Sequence, residues 1–174
     1  RKAISRFEAV LAEEAGVLNT YLVDEKGVYS IARLIEDAAQ ALPKAIRSIT
    51  PPTAVRDLQE AGRCLAFDLF TASGFHALRS LEAFIVVYHR ALTGKDLSPK
   101  DRNWGAYVKA LEVAGAPPPL CGLLTQIKDH HRNPLMHPEE FLNENEAITL
   151  FGIVISALIA FADATSKTPT PPVP

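Results

Sequence analysis

A chain of 174 residues, 48% of them hydrophobic and 22% charged, holds enough apolar material for one globular domain, which excludes a disordered tail or a collagen-like repeat. Eighteen basic residues against twenty acidic ones give a net charge of -2, so any site for a polyanion must be local. The two cysteines, Cys64 and Cys121, stand far apart in apolar surroundings. They fit neither a disulfide framework nor a zinc site and indicate a reducing, cytoplasmic setting.

The first 50 residues are predicted to form helices and one short hairpin that pack on the rest of the chain. Apolar residues spaced by three and four predict a helix over residues 2–15. The pattern of residues 17–29 is an extended run, a turn that contains glycine and a second short extended run, which predicts a small β-hairpin. Ser30 is predicted to cap a helix that continues to Leu42, where Pro43 stops or restarts it.

Residues 53–165 are predicted to form an all-α helical bundle. Thr53 follows two prolines and is predicted to cap the next helix, Gly94 to end a long one and Asn103 to begin another. Four prolines among residues 166–174 predict a disordered or extended tail. The predicted helices span residues 54–69, 70–92, 103–114, 120–131 and 144–164.

An uncharged apolar run covers residues 147–162 of the last predicted helix. Sixteen residues are fewer than the roughly 20 that cross a hydrocarbon core, so we expect no membrane span but a helix buried on most of its sides. A lone bundle has difficulty covering such a helix. Such a helix is commonly covered by symmetric pairing of two copies of the chain, which predicts a homodimer.

The long helix predicted over residues 70–92 carries a polar stripe. His76, Arg79, Glu82 and His89 fall within an arc of about 140° at 100° per residue. Two interpretations remain open. Either Arg79 and Glu82 pair one turn apart and satisfy the stripe, or the stripe lines a functional cleft.

A second polar cluster, residues 129–140, holds three of the five histidines. Pro134 and Pro138 disfavour helical backbone at the residues before them, so the preceding helix is expected to end near Arg132 and a short turn to present His137. A purely structural interpretation is also open. Arg132 would complement a helix C-terminus, and His137 would cap the segment that follows.

The sequence Arg132-Asn133, three further residues and His137 resembles the Arg-polar-x3-His motif of the HEPN superfamily. The preceding long helix, with Phe75-His76, Arg79 and Glu82 at intervals of three, adds to the resemblance to bacterial HEPN-like proteins. The likeness covers residues 54–164 and, more faintly, 21–42.

This resemblance implies a helical bundle that dimerises so that two motif copies face each other across a cleft. Active members are metal-independent endoribonucleases, some held in check by a neutralising protein partner. Others have lost catalysis and bind RNA, nucleotide or protein. Carried over, Arg132 and His137 are the expected catalytic residues and Asn133 the polar residue beside them. We expect Glu82 to hold Arg132, with Arg79 and His76 in support, and no cofactor or metal.

The chemistry of RNA cleavage by its own 2′-hydroxyl suits these residue types. The reaction needs a base for the 2′ proton, an acid for the 5′-oxygen and positive charge on the phosphorane-like transition state. Histidine exchanges protons near neutral pH, and arginine can hold two phosphate oxygens. One motif supplies one histidine, so a two-fold dimer would provide two His and two Arg around one phosphate.

Two alternatives remain beside the ribonuclease. Asp129-His130-His131 superficially resembles a motif of metal-dependent phosphoesterases, yet adjacent histidines on a helix point about 100° apart and rarely share one ion. A non-catalytic dimerisation or RNA-binding module is the stronger rival, because it would use Arg132 near a phosphate in the same way.

Overall fold

The computed structural model describes residues 2–17 and 23–167, and this part of the chain is an all-α bundle without a β-strand, as predicted. Short 3-10 turns follow the second helix, at Ala38–Ala41, and precede the sixth, at Pro99–Asp101. A π-helical turn, Lys128–Arg132, follows the seventh. The α-helices are α1 Lys2–Gly16, α2 Ile31–Asp37, α3 Lys44–Ile49, α4 Pro52–Ala66, α5 Phe70–Thr93, α6 Trp104–Val113, α7 Pro118–Ile127, the single turn α8 Asn133–Leu135, and α9 Glu144–Lys167.

Only the turn of the predicted hairpin lies fully within the described residues, because residues 18–22 fall outside them. Lys26 and Tyr29 form one isolated antiparallel bridge around Gly27, whose φ of 60° is left-handed. Ser30 then precedes α2, but its side chain makes no capping hydrogen bond. The predicted tail likewise lies mostly outside the described residues.

Prolines begin helices in this fold more often than the sequence analysis expected. Pro52 and Pro118 open α4 and α7, because a proline's fixed φ suits the first turn, where no backbone N–H is lost. The predicted cap at Thr53 is therefore wrong. Gly94, with a φ of 69°, ends α5 as predicted, and Asn103 Oδ1 accepts a hydrogen bond from the Ala106 N–H at the start of α6.

Helices α4 and α5 form an antiparallel pair with polar side chains sealed between them. Ser73 donates to the carbonyl of Ala61 at 2.9 Å, and Ser80 donates to the carbonyl of Ala54 at 2.8 Å. Both serines are fully buried, so these bonds satisfy hydroxyls that would otherwise cost stability. Gly62 is buried on the side of α4 that faces α2, and its lack of a side chain allows the α2 segment to approach α4 closely.

Helix α9 lies against α5 and supplies much of the core. Within its uncharged run only Thr149 and Ser156 are exposed, so the predicted burial is confirmed. Residues Glu144–Ala164 have the length and hydropathy (2.2) of a membrane span, but 56% of the most apolar window is buried inside the bundle, as in the core helix of a globular fold. Pairing with a second subunit stays a prediction.

Candidate functional site

The motif Arg132-Asn133-x3-His137 lies where α7 changes its helical form. After Ile127 the chain continues as the π-helix Lys128–Arg132, and the Asn133 N–H bonds to the carbonyl of Lys128, five residues back. Pro134 explains the change. It has no N–H to donate, and its ring would collide with the carbonyl four residues earlier in an α-helix. The predicted helix end near Arg132 is wrong, because Asn133 keeps helical backbone angles (φ -64°, ψ -47°) and the helical path continues through α8 to Leu135. The wider π-turn, a form often found at functional sites, was not predicted.

The three motif side chains differ in their surroundings. Arg132 is half-buried and has no carboxylate within 4 Å in the described part of the chain. His137 is exposed; its backbone N–H donates to the carbonyl of Pro134, and its ring makes no hydrogen bond among the described residues. Asn133 donates to Asp129 Oδ1 at 3.5 Å. The turn therefore presents a cation and an imidazole that are free for a ligand.

A cleft of about 370 Å³ borders this turn. His130 and His131 line one side, and the loop before α9 and the first turns of α9 line the other. Burial, and secondarily the charge of His130, lower the pKa of His131 below its ordinary value, so the His131 ring stays neutral near pH 7 and can accept a proton. The sequence analysis assigned no role to either histidine. Their position just before a helix-interrupting proline was the available signal.

A buried carboxylate that the sequence analysis missed organises half of the α5 stripe. Asp57 of α4 is 6% exposed; its Oδ1 lies 3.0 Å from His76 Nδ1, and its Oδ2 lies 3.5 Å from Arg79 Nη2. A signal existed, because Asp57 occupies a core position in α4, three residues after Ala54 and one before Leu58. His76 and Arg79 thus fasten α5 to α4.

The other half of the stripe has different neighbours. Glu82 lines a small cavity with Arg90 and Arg102, and in the described residues it forms no ion pair within 4 Å. The prediction that Glu82 contacts Arg132 or Arg79 is therefore wrong, since Asp57 takes Arg79. The buried His89 ring lies edge-on to the ring of Tyr107, and its Nδ1 has no hydrogen-bond partner among the described residues. The four stripe residues do not line one cleft.

Comparisons with known proteins add no assignment. The chain matches no family model, no curated protein and no solved structure. Within residues 2–17 and 23–167, no group of three or more His, Cys, Asp or Glu side chains is placed to hold a metal ion. Both cysteines are free thiols.

Proposed function

We propose that this protein is an endoribonuclease of the HEPN type that acts as a cytoplasmic homodimer. The observation that supports this proposal is the pairing, on one short turn, of an arginine without a carboxylate partner and an exposed histidine. A guanidinium without a carboxylate partner keeps its paired donors free for the oxygens of a phosphate.

The proposed reaction is a transesterification within the RNA. The 2′-oxygen attacks the adjacent phosphorus and loses its proton to His137, while the bond from phosphorus to the 5′-oxygen breaks. His137 of the partner subunit donates the proton that the leaving 5′-oxygen needs. The products are a 2′,3′-cyclic phosphate and a free 5′-hydroxyl. Arg132 stabilises the negative charge that builds on the phosphoryl oxygens.

The remaining site residues act in support. Asn133, held by Asp129, would orient the phosphate or the His137 ring. His76 and Arg79 are bonded to Asp57, so we assign them the task of fixing α5 beside the site rather than contact with RNA.

The test is cleavage of a mixed RNA pool by purified protein, with and without EDTA. We expect His137→Ala to slow cleavage by about 10²- to 10⁴-fold, the usual worth of a general acid-base group, and Arg132→Ala to slow it comparably. Arg56→Ala is the matched control, because Arg56 is exposed on α4, outside the motif turn. EDTA should leave the rate unchanged. Intact RNA at high protein concentration would end the proposal.

Adding the His137→Ala variant in excess to wild type tests whether the site is shared. In the proposed dimer both His137 rings act on one phosphate, so a heterodimer with a single His137 lacks the base or the acid, and the activity of a fixed amount of wild type should fall as the variant is added. If each site belongs to one chain, the wild-type activity stays unchanged.

The second candidate, a non-catalytic RNA- or nucleotide-binding module, is favoured by the exposed ring of His137, which no hydrogen bond among the described residues orients for a proton transfer. It predicts binding without cleavage. In that case Arg132→Ala weakens binding, His137→Ala has little effect, and the RNA stays intact.

A further inference from the structure

Helix α1 is an amphipathic helix whose apolar face is exposed in the described structure. All fifteen of its residues are exposed, and none is buried. Four large apolar side chains nevertheless share one face, within an arc of about 120° at 100° per residue. They are between 52% and 66% exposed: Ile4, Phe7, Val10 and Leu11.

A helix of this length is not expected to stand alone. Isolated helices shorter than about 12 to 15 residues are marginal in water, and most helical stability comes from packing of the apolar face. The face of α1 therefore needs an occupant.

The charges of α1 identify that occupant. Lys2 and Arg6 lie in the first half of the helix and Glu13 and Glu14 in its last turn, while Glu8 lies at the middle, on the other flank of the apolar face. Lys2, Arg6 and Glu13 fall within about 40° of one another, along one flank of the apolar face. When two copies of such a helix pair antiparallel, the same flanks meet in opposite directions, so the basic end of each faces the acidic end of the other.

Glu14 distinguishes antiparallel from parallel pairing. It lies inside the apolar arc, one turn beyond Val10. In a parallel pair the two Glu14 carboxylates would meet in the seam. In an antiparallel pair each reaches the N-terminal turn of the other helix, where free N–H groups and basic side chains favour a negative charge.

We propose that α1 binds α1 of a second copy of this protein in an antiparallel helix pair, with Ile4 opposite Leu11 and the two Phe7 rings adjacent at the two-fold axis. The proposal does not depend on the ribonuclease proposal. Two helices of this length bury less than the 1,200–2,000 Å² that is typical of stable interfaces, so we expect a dissociation constant in the micromolar range or weaker. Even weak pairing raises the effective concentration of one bundle near another.

A lipid surface is the main competing occupant, and the composition of α1 disfavours it. Helices that lie on membranes carry a polar face rich in Lys and Arg. Helix α1 has two basic and three acidic side chains.

Charge reversal in the full chain tests the antiparallel arrangement. Lys2→Glu with Arg6→Glu makes every charged side chain of the helix acidic. Glu13→Lys with Glu14→Lys leaves four basic side chains and one acidic side chain, Glu8. We expect each double variant alone to associate at least about tenfold more weakly than wild type, and an equimolar mixture to recover association as heterodimers. Sedimentation velocity with one variant fluorescently labelled measures both, up to several hundred micromolar protein.

Several outcomes would overturn the proposal. One is that wild type stays monomeric throughout that concentration range. Another is that either double variant alone associates as strongly as wild type. A third is that the mixture of the two double variants associates no more strongly than each variant alone. Binding of wild type to vesicles of phosphatidylcholine and phosphatidylglycerol without self-association would assign the face to lipid instead. Thermal unfolding of the bundle is the control, because α1 has no buried residue. A changed midpoint in either variant would show that α1 packs on its own bundle, which also contradicts the proposal.

Discussion

Replacing Gly62 by alanine tests the close contact between α4 and the α2 segment. An added Cβ at Gly62 would lie 2.4 Å from the Cβ of Ala38 and 2.7 Å from the carbonyl oxygen of Leu34. Neither atom is the end of a flexible side chain, so the α2 segment itself would have to move away from α4. Gln59 also donates to the carbonyls of Leu34 and Ile35, and that movement would strain these hydrogen bonds.

The magnitude follows from two opposing effects. Overpacking a well-packed site costs about 1–3 kcal/mol, and contact with backbone places Gly62→Ala at the upper end. Alanine is a better helix former than glycine by about 1 kcal/mol, which offsets part of that cost. We therefore expect Gly62→Ala to lower the free energy of unfolding by about 2 kcal/mol.

Gly122→Ala is the matched control. Gly122 lies inside α7, is exposed and has no atom within 4 Å of an added Cβ. Only the helix-propensity gain applies there, so this variant should be more stable than wild type by about 0.5–1 kcal/mol.

Urea unfolding followed by far-ultraviolet circular dichroism measures both variants. The two glycine substitutions should change stability in opposite directions. A Gly62→Ala protein as stable as wild type, or stabilised like Gly122→Ala, would refute the close approach of α2 and α4.

Three further predictions concern charged and titrating groups. Lys26 is 2% exposed and pairs with the half-exposed Asp68 at 2.7 Å, so Lys26→Met should cost about 1–2 kcal/mol in urea unfolding. The hydrogen bond that Lys26 donates to Asp68 raises the Lys26 pKa. Wild type should therefore keep this stabilisation below pH 10.5 and lose it as the pH rises through the higher folded pKa, whereas the variant should show no such alkaline loss. Burial is the main cause that lowers the His131 pKa, so the midpoint of its NMR titration should fall below 6.5. His130→Ala removes only the smaller cause and should raise that midpoint only in part. A midpoint at or above 6.5 in wild type would contradict the burial of the ring. Asp57→Asn should destabilise the fold by about 1–3 kcal/mol in thermal or urea unfolding, because it weakens the contacts of one buried carboxylate with His76 and Arg79. An unchanged stability would show that these α4–α5 ion pairs are dispensable.

The all-α class and most helix ends could be predicted because they depend on local chemistry. Gly94 ends α5 through its own backbone freedom, and Asn103 caps α6 through its own side chain. Proline is ambiguous in the same local terms, since it both terminates helices and begins them. For this reason Thr53 was mistaken for a cap at the start of α4.

The candidate site was predictable in its position but not in its contacts. Pro134 and Pro138 indicated a helix end near Arg132, but Pro134 is accommodated by a π-turn before it and the helical path continues to Leu135. Ion-pair partners depend on which helix lies alongside. A helical wheel of α5 orders its own residues and contains no information about Asp57 on α4.

The position of α9 in the core governs when the molecule can fold. Phe84 and Tyr88 of α5 both pack against the ring of Phe161, with centroids 5.3 Å and 5.1 Å away. A growing chain that has not yet reached residue 161 leaves these rings without their aromatic partner and open to association with other chains. Closing so distant a contact is slow for a helical protein. Fragments that end before α9 should therefore aggregate rather than fold, even though they contain the complete Arg132–His137 turn.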